Sequence, residues 1–176
     1  MKRAIVLFVT LLLTLPLLAN GPESPTTVIL VRHAEKDAAV SPTDPPLTAA
    51  GKARAEALVH ALRDSGITTV YTTPFHRTRD TAGPIAAALG LQPVELAAGK
   101  TFAAETAALL REKHAGETVL VVGHSNTTPD LARALGASDV PSIADPWEFD
   151  NIFIVTFRGD EKPHFVRVRY GAISTE

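Results

Sequence analysis

Two short runs constrain this chain more than anything else in it. Val28-Ile29-Leu30-Val31 and, ninety residues on, Val119-Leu120-Val121-Val122 are unbroken β-branched and aliphatic segments. A strand wetted on one face alternates polar with apolar residues, so such runs read as strands covered on both faces. Stretches at helical spacing separate them. Thr48 caps one running to about residue 64, with Ala50, Ala53, Ala57, Leu58, Ala61 and Leu62 on its apolar side and Gly66 at its end. Further helices are expected over residues 77–89, 102–114 and 129–135. Shorter strands are expected at 69–71, 93–96, 152–157 and 165–170. Residues 41–46 (SPTDPP) form a loop, because their three prolines exclude both helix and ladder. The alternation predicts an α/β fold, a three-layer sandwich whose mostly parallel central sheet is flanked by helices.

The 176 residues suffice for one domain. A formal charge of −2 lacks the basic signature of a nucleic-acid binder. Without cysteine there is no disulfide framework, thiol chemistry or thiolate-held metal. Lys2 and Arg3, an apolar run from Ala4 to Leu18 broken by Thr10 and Thr14, then Pro16 and the small residues Ala19, Asn20 and Gly21 have the pattern of a secretory signal peptide. We therefore expect residues 1–21 to be a leader, cleaved after Ala19 or Gly21, and residues 22–176 to be the domain. The protein would be exported, periplasmic or secreted, with no membrane association once the leader is removed. An uncleaved anchor is the alternative.

Both buried runs stop on a histidine, at Arg32-His33 and Gly123-His124. In open α/β sheets ligands bind beyond the carboxyl ends of the strands. With Arg77-Thr78-Arg79 at a helix start, two imidazoles and several guanidiniums would converge there in a cationic pocket without a partner. Uncompensated charge is costly, so such a pocket favours a dianion, and guanidinium forks match phosphate oxygens. A helix N-terminus near Arg77 would add its positive end.

These residues resemble a family. Val31-Arg32-His33-Ala34-Glu35 is similar to the RHG-type signature of the histidine phosphatase superfamily, with its phosphoglycerate mutase-like fold. Leu47-Thr48-Ala49-Ala50-Gly51 resembles the family's "L-T-x-x-G" helix start. Residues 72–82 (TTPFHRTRDTA) resemble its "S-x-x-x-R-[A/T]-x-x-T-A" segment, and Val121-Val122-Gly123-His124-Ser125 its second-histidine strand. The four matches occur in family order, and the short chain looks like the small phosphohistidine-phosphatase branch. The resemblance implies that His33 takes the phosphoryl group as nucleophile, while Arg32, Arg77 and His124 hold its oxygens. It implies a metal-independent phosphatase acting on phosphomonoesters or phosphoramidates, with no cofactor. The partner would be a small phosphorylated substrate or a phosphoprotein.

The chain departs from the pattern at Ala34, where the family has glycine, and in its general acid. Residues 96–102 carry no carboxylate, and Ser125 follows His124 where some members place an aspartate. Glu105 and Glu35 are the candidate acids, and Ser125 and Arg79 the candidate substrate contacts, although Arg79 also fits a solvated helix position. Lacking a strong acid, the enzyme would favour substrates with good leaving groups. His60, His76, His114 and His164 are expected on the surface, and Trp147 in loop packing. Three rivals remain: a binding module that captures phosphorylated ligands without turnover, a serine hydrolase built on Gly123-His124-Ser125, and a metal site on His33 and His124. The serine reading fails the G-x-S-x-G pattern at Thr127. Arg32 and Arg77 oppose a cation.

Overall fold

The computed structural model describes residues 24–175, so the expected leader lies outside the described residues. The two apolar runs become β1 (Thr26–Arg32) and β4 (Thr118–Gly123), which pair in parallel with Arg32 opposite Gly123. They are the centre of a six-stranded sheet that also contains β2 (Ile67–Thr72), β3 (Val94–Glu95), β5 (Asn151–Phe157) and β6 (His164–Arg169). The order is β3-β2-β4-β1-β5-β6. The first four strands in this order run parallel, while β5 and β6 are antiparallel additions on one side. The chain lays down β1, skips a place to β2 and β3, and returns to insert β4. Residues 91 positions apart thereby become neighbours at one sheet edge.

Side chains alternate across β1 and β4, and each face has its own core. Val28, Leu30, Val119 and Val121 pack with α3 (Phe102–Lys113) and α4 (Thr127–Ala134) through Leu110, Leu131 and Leu135. Ile29, Val31, Leu120 and Val122 pack on the other face with α1 (Ala49–Leu62) and α2 (His76–Leu89) through Leu58, Leu62 and Ile85. Full burial of each such side chain contributes about 1.5–3 kcal/mol, which explains why both runs are apolar throughout. This is the three-layer, mostly parallel sandwich expected from the sequence.

Local signals fix the elements. Thr48 caps α1, its hydroxyl accepting from the Gly51 amide at 3.0 Å. A Cβ at Gly51 would collide with the Glu35 carbonyl, so the glycine lets α1 lie against the backbone that follows β1. Gly90 ends α2 in the left-handed conformation, with φ 68°. Among the described residues no helix is long and apolar enough to cross a membrane.

Candidate active site

The parallel register puts the residues following β1, β2 and β4 side by side. The His33 amide extends the ladder by donating to the Gly123 carbonyl at 2.9 Å. The rings of His33 and His124 stand edge to face, 5.4 Å between centroids. With Arg32, Lys36, Arg77, Ser125, Asn126 and Asp145 they line a polar pocket of about 190 Å³. The structure thus brings together Arg32, His33, Arg77, His124 and Ser125 of the residues expected from the sequence, and adds Lys36, Asn126 and Asp145.

His33 is buried, and its Nδ1 lies 2.7 Å from the Ala34 carbonyl. A carbonyl only accepts, so Nδ1 carries the proton and Nε2 keeps its lone pair. Burial holds His33 neutral, lowering its pKa to about 3 against the opposing effect of the Ala34 carbonyl. Arg32, His124 and Arg77 push in the same direction as burial. Burial, then Arg77, Arg32 and Lys36, lower His124 to about 4. Two neutral imidazoles therefore sit among cations. Nε2 of His124 meets Thr73 Oγ1 at 2.9 Å, and Thr73 Oγ1 is 3.0 Å from Thr78 Oγ1, whose own proton goes to the carbonyls of Thr73 or Phe75.

Arg32 is almost completely enclosed. Its Nη1 donates to the carbonyls of Ala144 and Glu148 at 3.1 and 3.0 Å, and its guanidinium lies 4.1 Å over the Phe149 ring. Arg77 stacks on Phe75 at 4.3 Å. Burial lowers the pKa of both, opposed by Asp145 at Arg32 and Asp44 at Arg77. The Nε–H groups of both arginines are buried without an acceptor among the described residues. Arg32, Lys36 and Arg77 give the pocket lining three cationic side chains, and guanidinium and ammonium groups together suit an oxyanion.

Thr81 ties the signature to α2, accepting from the Ala34 amide at 2.9 Å and donating to the Arg77 carbonyl at 2.6 Å. Ala34 is wholly buried against Leu47 and Ala55, so alanine fills the glycine position without crowding the pocket.

Several expectations are corrected. The cationic pocket is not without partners: Asp145 pairs with Arg32, and Asp44 stands 3.7 Å from Arg77. Nor is the α2 N-terminus open, because Asp44 accepts the His76 amide at 2.9 Å. Glu105 lies on α3 beside Leu96, Phe102 and Leu109, lining a separate hollow. Glu35 is gripped by Arg54, with Nε and Nη2 at 2.8–3.1 Å from its oxygens, a structural pair beneath the signature. Arg79 points away to Glu95 at 2.6 Å. His114 is not on the surface; it is buried between Tyr71 (2.8 Å) and Glu117 (2.8 Å). His60, His76 and His164 are exposed. Trp147 is half-buried in the turn after Asp145 and does not line the pocket. His164 pairs opposite Thr156 at the far end of the sheet, which deprives a Ser125 nucleophile of the only downstream histidine.

Residues 28–99 match the sequence model of the histidine phosphatase superfamily (branch 1). That span holds Arg32, His33 and Arg77 but ends before His124. No curated protein matches the chain. Among solved structures, the protein histidine phosphatase SixA complexed with tungstate is similar over 81% of this chain and 96% of its own, at 20% identity and TM-score 0.67. YhfR of Bacillus stearothermophilus covers 79% and 94%, at 19% identity and TM-score 0.65. A mycobacterial glucosyl-3-phosphoglycerate phosphatase covers 84% and 99%, at 15% identity and TM-score 0.61. At these identities the likeness establishes a shared fold.

Proposed function

We propose that this chain, whose residues 28–99 match the sequence model of the histidine phosphatase superfamily, is a phosphatase working through a phosphohistidine on His33. One observation carries the reading. The bond from Nδ1 to the Ala34 carbonyl leaves Nε2 of a neutral imidazole as a lone pair, in a pocket lined by Arg32, Lys36 and Arg77. A neutral ring nitrogen is a competent nucleophile, and positioning plus charge stabilisation supplies most of the catalysis in phosphoryl transfer.

In the first half-reaction Nε2 of His33 attacks phosphorus in line, the N–P bond forms and the P–O bond to the leaving group breaks. Arg32, Arg77 and His124 hold the three non-bridging oxygens. In the second half-reaction water attacks phosphorus, the N–P bond breaks, and its electron pair returns to Nε2. Lys36 adds a third cation at the pocket wall. The charge a metal would supply comes from side chains, which supports a metal-independent reaction.

The substrate class is phosphomonoesters or phosphoramidates, on a small molecule or a phosphoprotein. Similar structures, of a protein histidine phosphatase and a glucosyl-3-phosphoglycerate phosphatase, span that range. Export rests on the basic and apolar N-terminal pattern alone.

The test is to quench turnover in alkali and measure the mass of the protein and its peptides. A single acid-labile phosphoryl group on the His33 peptide is expected. Tight phosphate binding with no phosphoenzyme and no phosphate release would point to the binding-module reading.

A further inference from the structure

The two carboxylates that the sequence suggested for protonating the leaving oxygen, Glu35 and Glu105, are held elsewhere. The structure assigns that role: we propose that Asp145 is the general acid and, in the second half-reaction, the general base. This rests on the phosphatase reading and deepens it.

Among the described residues Asp145 supplies the only carboxylate lining the pocket that contains His33 and His124. It lies in the segment between α4 and β5, whose carbonyls at Ala144 and Glu148 clamp Arg32 Nη1, while its own Oδ1 pairs with Arg32 Nη2. The guanidinium is buried, whereas the Asp145 side chain is 57% exposed. The carboxylate therefore stands on the solvent side of the arginine that would grip the phosphoryl group, in the wall of the pocket. Glu148, the nearest alternative, is turned away to Arg167 and Arg169. Asp44, the other carboxylate near the site, already accepts the His76 amide.

The acid step starts from Asp145 bearing a proton beside the phosphoryl dianion that shares Arg32 with it. As the P–O bond breaks, that proton passes to the leaving oxygen, yielding an alcohol, phosphohistidine and the Asp145 carboxylate. In the second step water gives its proton to the carboxylate and its oxygen to phosphorus. Free phosphate leaves, and both His33 and Asp145 return to their starting states.

Asp145→Asn keeps an acceptor for Arg32 but has no proton to donate. Wild type, Asp145→Asn and Asp145→Glu should be assayed on dinitrophenyl phosphate, whose leaving group needs no proton, and on phenyl phosphate, whose leaving group does. For Asp145→Asn, kcat on phenyl phosphate should fall about 10²–10⁴-fold and kcat on the dinitrophenyl ester by less than about tenfold, with partial recovery in Asp145→Glu. Equal losses on both esters would overturn the proposal in favour of a role in positioning Arg32. No loss on either would also overturn it, as would the same leaving-group pattern in Asp44→Asn. Wild type that turns over neither ester would overturn the phosphatase reading itself, and this proposal with it.

Discussion

Thr73 Oγ1 lies 2.9 Å from Nε2 of His124, and that contact leaves Nδ1 as the ring nitrogen with no partner among the described residues. Thr78 spends its only hydroxyl proton on a main-chain carbonyl, so Thr73 has one proton to give, either to Thr78 Oγ1 or to Nε2. When Thr73 gives its proton to Nε2, the ring carries its own on Nδ1, which can donate to a phosphoryl oxygen. Thr73 is thus a positioning residue for His124. In Thr73→Val, kcat/KM for an aryl phosphate should fall about tenfold to a hundredfold, the cost of an unmet buried hydrogen bond, and Thr73→Ser should recover most of it. Equal losses in both variants would show that the methyl packing matters instead.

Both imidazoles are held neutral, and that has a pH signature. Their folded pKa values, about 3 for His33 and about 4 for His124, lie below the ordinary value near 6.5. Between these limits the unfolded chain binds protons that the folded chain does not, so stability rises with pH. The contribution is complete above about pH 6.5 and is lost as pH falls toward 3 to 4. The ring resonances of both residues should stay in place from neutral pH to about pH 5, while urea midpoints fall over the same interval. A ring titrating near pH 6.5 in the folded protein would contradict the burial argument.

Gly51 is required by a close approach rather than by its backbone angles. Gly51→Ala pushes a methyl group into the Glu35 carbonyl and should destabilise the domain by about 1–3 kcal/mol in urea unfolding. An unchanged midpoint would mean that α1 shifts without cost.

Glu105 and Arg79, both suggested by the sequence, lie outside the pocket. Glu105→Gln and Arg79→Ala should each change kcat/KM by less than about twofold, the range of surface substitutions. A hundredfold loss in either would relocate the site.

The fold was legible because its signals are local. The apolar runs of β1 and β4 name themselves as doubly covered strands, and Thr48 and Gly90 mark helix ends through short-range chemistry. The weakest strand, Val94–Glu95, was also the faintest in the sequence, since it pairs with β2 over only two positions. His33 and His124 were legible for the same reason, each being the first residue past a buried strand. Asp145 was not, because its place depends on a contact with Arg32 spanning 113 positions, through a loop without periodicity. His114 was misplaced for a related reason. It ends a surface helix, and only the β2 partner Tyr71, 43 positions away, shows that its ring turns inward.

The central claim is phosphoryl transfer to His33, and the most direct measurement is phosphate release from an aryl phosphate by wild type and His33→Ala, with EDTA present. Turnover that survives the chelator in wild type and disappears in the folded variant is the predicted result. Turnover that persists in His33→Ala would contradict the account.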